Sequence, residues 1–108
     1  MAAGAREDRA RSVNLPVVLA EDAERDIEAA CRWYTIRGSP ALAARFLAAL
    51  DAALTRIEQF PELHPEVAPG IRRSLTAPFP YLLLYEIAEH EVVVHRCIHA
   101  HRDPVSWR

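Results

Sequence analysis

The chain has 108 residues, about half of them apolar and about a quarter charged, which is the makeup of one ordinary globular domain with one modest core. A net charge of −2 excludes a protein that grips nucleic acid through bulk positive charge. No apolar run reaches the roughly 18 residues of a membrane span and the N-terminus lacks a signal-type apolar segment, so a soluble, cytoplasmic protein is expected.

The charge is uneven. Residues 1–66 hold 8 Arg against 11 acids, and residues 67–108 hold 5 Arg against 4 acids plus four of the five His. There is no Lys, so every fixed positive side chain is a planar guanidinium suited to carboxylate or phosphate forks. Cys31 and Cys97 are far apart, form no CxxC and sit in apolar patterns, as buried free thiols do.

Residues 1–12 are charged and aperiodic, and a flexible N-terminal arm is expected there, ahead of a single domain over residues 13–108. Leu15, Val17, Val18 and Leu19 signal a short strand, and Pro16 places it at an edge or start. Glu21, Asp22, Glu24 and Asp26 then open a helix at its positive pole. Ala23, Ile27, Ala30/Cys31 and Tyr34 form one helical stripe. Gly38 should end that helix with a positive φ, and Ser39-Pro40 caps the next. Ala43, Phe46/Leu47, Leu50, Ala53/Leu54 and Ile57 form a second stripe, which stops before Pro61. The tight link makes the two helices an antiparallel hairpin.

Glu62 to Gly70 reads as a loop, and Ile71 to Thr76 as a short strand carrying Arg72 and Arg73. Tyr81 to Ile87 and Val92 to His99 are strong strands around a polar turn at 88–91. Both are apolar on both faces, which places them centrally in a sheet. The expected fold is α+β, ordered β-α-α-β-β-β, with an antiparallel sheet covered on one face by the helical hairpin.

The densest chemistry lies at the end of the last strand. Strict alternation would put His95, Cys97, His99 and His101 on one face. That Cys/His mixture suits zinc, but residues in line on one strand do not close a tetrahedron, and no metal or cofactor is assigned. Cys97 beside His99 is the one nucleophile–base pair, and no Gly-rich oxyanion turn accompanies it. A ribonuclease would need a proton shuttle and phosphate-holding cations, for which His99, Tyr85, Arg72, Arg73, Arg96 and Arg102 are the available parts. No P-loop, GxGxxG, HExxH or GxSxG is present. No catalytic residue is assigned.

The tail FPYLLLYEI…VVVHRCIHAHRDPVSW, through Phe79, Pro80, Tyr81, Tyr85, His99, Arg102, Asp103 and Trp107, resembles the closing hairpin of the RelE/ParE toxin superfamily, and its ParE branch most. Ala23-Glu24-Arg25-Asp26-Ile27 resembles the family's helix entry. Phe60-Pro61-Glu62 followed by Ile71-Arg72-Arg73 resembles its link into the sheet. The resemblance covers residues 13–107. It implies the fold read above and the toxin half of a type II toxin–antitoxin pair, of the kind tied to plasmid stabilisation. For the ParE branch it implies DNA gyrase as a target blocked by binding. The alternative, from the RelE branch, is a ribosome-dependent mRNA endoribonuclease, a role to which a Lys-free, net-acidic chain is poorly suited. The resemblance also implies a cognate antitoxin, a small DNA-binding protein whose tail folds over the toxin; the toxin itself is expected to make no direct sequence-specific DNA contact and no membrane contact. The expected target-binding residues are Arg72, Arg73, Tyr85, Arg96, His99, Arg102 and Trp107. The expected antitoxin-binding residues are Trp33 and Ile36.

Overall fold

The computed structural model describes residues 15–102; the N-terminal arm expected over residues 1–12 lies outside them. Strand β1 (Val17–Leu19) leads into helix α1 (Glu21–Arg37) and helix α2 (Pro40–Gln59). A short 3-10 turn (Pro61–Leu63) leads to strands β2 (Glu66–Ala68), β3 (Ile71–Leu75), β4 (Tyr81–Ile87) and β5 (Val92–His99). The sheet order is β1-β5-β4-β3-β2.

Two parts of the sheet differ from the sequence reading. β1 pairs with β5 in parallel, Val17 opposite Val92 and Leu19 opposite Val94, so the sheet is mixed. The remaining pairings are antiparallel. The backbone amides of Val92 and Ala20 donate to the carbonyls of Pro16 and Val94, which fixes β1 at the outer edge of β5. The amide-less Pro16 therefore costs the ladder nothing. The second difference is β2, in a stretch expected to be all loop. Pro69 and Gly70 join β2 to β3 as the two central residues of a tight turn, with Gly70 at φ 76°. A proline followed by a positive-φ glycine is the type II turn signature, so the breakers mark a hairpin rather than a loop.

Both helix entries follow from local chemistry. Ser39 Oγ accepts the Leu42 amide at 3.1 Å, with Pro40 in the first turn. Ala20 gives α1 no side-chain cap, and Glu21, Asp22 and Glu24 lie in its first turn, at the positive end of the helix dipole. The expected positive φ at Gly38 is absent, since its φ is −123°. The tight link leaves little room there: a Cβ would lie 2.6 Å from Leu42 Cδ2, the movable end of that side chain, and 3.0 Å from the Tyr34 carbonyl.

The core fills the space between the hairpin and one face of the sheet. Phe46, Leu50, Ala53 and Ile57 of α2 and Ala23 and Ala30 of α1 meet Tyr81, Leu83, Tyr85, Val92, Val94 and Cys97. Small residues on α1 bring its backbone close to β5. Phe46 lies among three aromatic rings, those of Tyr34, Phe79 and Tyr81, at centroid distances of 5.4, 5.5 and 5.3 Å. The buried Thr76 closes the β3–β4 corner: its amide donates to the Tyr81 carbonyl, and its hydroxyl lies 3.2 Å from the carbonyls of Phe79 and Tyr81.

β5 carries a bulge. Leu84 faces Arg96 but the next residue, Tyr85, faces Val94, which leaves His95 as an extra residue. The bulge reverses the alternation. Val92 and Val94 before it and Cys97 after it all join the same core.

Candidate functional site

The β5 bulge undoes the one-face arrangement expected of His95, Cys97 and His99. His95 pairs instead with Glu86, Nε2 to Oε1 at 2.6 Å. The β4 neighbour of Glu86, Tyr85, is in the helix-covered core, so Glu86 and His95 lie on the helix-free face. Cys97 points under the helices. Burial first, then the nearby Asp26 and Cys31, push its thiol up to about 12, so it stays protonated at neutral pH and is no nucleophile. Among the described residues no group of three or more His, Cys, Asp or Glu is placed to hold a metal.

The bulge also sets the main helix–sheet tie. Asp26 of α1 accepts Arg96 Nε at 2.7 Å, Arg96 Nη2 at 3.2 Å and the Cys97 amide at 2.9 Å. The sequence reading took Asp26 only as part of an acidic helix entry. An acid one turn beyond that entry, on the alanine-rich stripe, was the available sign of a tie to the sheet. Arg96, expected at a target surface, is thereby a structural partner of α1.

Two more expected contact residues are also structural. Tyr85 is wholly buried and its hydroxyl donates to the Pro61 carbonyl. Arg72 donates to the carbonyls of Glu62 and His64 and pairs with Glu66 at 3.7 Å. Together they fasten the 60–66 segment to the sheet. With its proton given to Pro61, Tyr85 can only accept from His64 Nδ1, 3.1 Å away, which puts the His64 proton on Nδ1. Burial, then Arg56 and Arg72, lower the His64 pKa below 6.5. The unfolded chain therefore takes up this proton first as pH falls. The His64 contribution to stability should be complete above pH 6.5 and lost as pH drops below it through the folded-state value. Urea midpoints of the wild type and His64→Gln, compared between pH 7.5 and 5, should converge at the lower pH; parallel curves would refute this.

Of the remaining expected residues, Arg102, His99 and Trp33 gather where β5 ends against α1. Arg102 Nη2 donates to the Tyr81 hydroxyl at 2.9 Å. The Arg102 guanidinium lies 4.9 Å from the Trp33 ring centre, and that of Arg37 lies 4.2 Å from it. The His99 ring meets Tyr81 edge to face at 5.2 Å. His99 Nδ1 accepts the amides of His101 and Arg102, 3.1 Å each, which turns the chain and brings Arg102 back over α1. Beneath Trp33, Asp26, Tyr81, Cys97 and Arg102 line a pocket of about 320 Å³.

Residues assigned separately to antitoxin and target thus form one cluster, with Trp33 between Tyr81 and Arg102 on one side and the open helix face on the other. Ile36 is 71% exposed one turn of α1 away, and Leu47 of α2 is also exposed. Arg73 is exposed and stands apart on β3. Trp107 lies outside the described residues.

A helical hairpin laid across one face of a small mixed sheet is the architecture of an α+β protein, and here an aromatic–arginine cluster lies where the last strand meets the first helix. The family model described as "ParE toxin of type II toxin-antitoxin system, parDE" matches residues 17–104. The chain belongs to this family. A solved structure titled "Chromosomal ParDE TA system from P. aeruginosa" is similar in fold, with a TM-score of 0.71, covering 79% of this chain and 95% of that one at 16% sequence identity. No curated protein matches the sequence. Among the described residues no helix is long and apolar enough to cross a membrane.

Proposed function

We propose that this ParE-family toxin acts in the cytoplasm by binding rather than by catalysis, that its target is DNA gyrase, and that a cognate antitoxin neutralises it by folding over the helical hairpin. The observation that carries the binding reading is the state of the chemical groups. The Cys97 thiol is buried and protonated, Tyr85 is locked in the core, and Arg72 and Arg96 are engaged with the protein's own carbonyls and carboxylates. An endoribonuclease would need several of these as free acids, bases and phosphate-holding cations. The antitoxin reading is supported by Trp33 and Ile36, exposed large apolar side chains beside the Arg37 and Arg102 guanidiniums. Such a surface suits an amphipathic, acidic helix.

Two measurements test this. Induction of the toxin alone should filament cells and raise a DNA-damage response, and the purified toxin should inhibit gyrase supercoiling. Unperturbed supercoiling, or rapid translation arrest with mapped mRNA cuts, would overturn the target. Trp33→Ala should weaken antitoxin binding by at least about thirtyfold, the effect of losing an aromatic anchor. Unchanged affinity would remove Trp33 from that interface.

A further inference from the structure

A second concavity lies away from the Trp33 cluster, under the corner that joins β3 to β4. Its volume is about 630 Å³, and Leu75, Pro78 and Leu82 line it together with Arg73, His64 and His101. Its size falls within the range of sites that hold a small ligand or a few residues of peptide.

Arg73 and Leu75 alternate with Ser74 along β3 and face Leu84 and Leu82 across the ladder. They therefore project to the face that the helices leave uncovered. Leu75 is 47% exposed there. None of the lining residues is an acid. The other two arginines of the sheet each have a carboxylate, Glu66 for Arg72 and Asp26 for Arg96. No carboxylate among the described residues pairs with Arg73. His64 uses its Nδ1 proton on Tyr85, so its Nε2 is left as an acceptor in the groove wall. An apolar cleft that holds no acid and is rimmed by an unmatched guanidinium, with His64 Nε2 free to accept a peptide N–H, complements an apolar side chain flanked by a carboxylate.

We infer that this groove is a second docking surface, for an acidic, apolar peptide segment of a protein partner, with Arg73 pairing its carboxylate and Leu75 and Leu82 receiving its apolar side chain. The groove does not depend on gyrase being the target, and it lies outside the hairpin surface assigned to the antitoxin.

The test uses the full chain, 15N-labelled, titrated with acetyl-Asp-Leu-Phe-Asp-amide and with its Lys-flanked counterpart. The acidic peptide should shift the amide resonances of Leu75, Leu82 and Ala100, and bind at least about tenfold tighter than the basic one. In Arg73→Glu, a substitution at an exposed position, the preference should reverse. Leu75→Asp should weaken the acidic peptide by about tenfold or more. Shifts centred on Trp33, equal binding of both peptides, no binding, or tighter binding of a uridine oligonucleotide at the same residues would each overturn the inference. Supercoiling inhibition, measured separately, reports on the gyrase reading alone.

Discussion

Asp26→Ala should be the most damaging single polar substitution in this protein, lowering its stability by about 3 kcal/mol, or the melting temperature by roughly 12–20 °C. One carboxylate serves three donors: two nitrogens of Arg96 and the Cys97 amide. Its removal takes a two-point carboxylate partner from a half-buried guanidinium and the acceptor from a strand amide, and the cost of disrupting such groups exceeds the net worth of the bonds themselves. Asp26→Asn keeps an acceptor and should lose less. Adding Arg96→Met to Asp26→Ala should restore part of the loss, because the guanidinium that Asp26 compensated is then gone while the Cys97 amide remains unmatched. Thermal denaturation of the four proteins decides the matter. A double variant no more stable than Asp26→Ala would show that the charge is not the source of the cost.

Phe46→Ala should cost about 3–5 kcal/mol, and its effect should reach the Trp33 cluster. Phe46 is fully buried and packs against Tyr34, Phe79 and Tyr81. The last of these carries the hydroxyl that holds Arg102. A cavity there frees Tyr81 to change rotamer, and Arg102 then loses its anchor over Trp33. The variant should show a changed Trp33 emission maximum and weaker antitoxin binding as well as a lower urea midpoint. Phe46→Leu should cost about 1–2 kcal/mol with little effect on binding. Full antitoxin affinity in folded Phe46→Ala would separate core packing from the surface cluster.

The two helices, their boundaries at Arg37 and Gln59, and the central β4–β5 pair were legible in the sequence, because each rests on a local signal. Ser39-Pro40 specifies a cap, and the two helical stripes specify which faces are covered. What escaped depends on pairing. No residue of Val17–Leu19 states the direction of its partner strand, so the parallel contact with β5 is set only when the hairpin has folded back. The bulge at His95 escaped because His95, Arg96 and Cys97 read as a regular alternation, and only the opposing β4 residues reveal the slip. That slip carried the site with it. It moved His95 to the helix-free face with Glu86 and turned a supposed ligand row into unrelated side chains. Residue type and the family resemblance point to Tyr85, Arg72 and Arg96 as contact residues, and neither reveals what these side chains touch. Their partners, the Pro61, Glu62 and His64 carbonyls and the Asp26 carboxylate, come from segments that only the tertiary fold brings near.

The lengths of the outer strands have a consequence for self-association. β1 and β2, the two borders of the sheet, are three residues each, while the interior strands β4 and β5 span seven and eight. A neighbouring chain that tried to extend the sheet at β1 or at β2 would find a border strand of only three residues, a short template for an ordered ladder. Short border strands of this kind disfavour extension of the sheet by a second chain, even though the central strands are apolar on both sides.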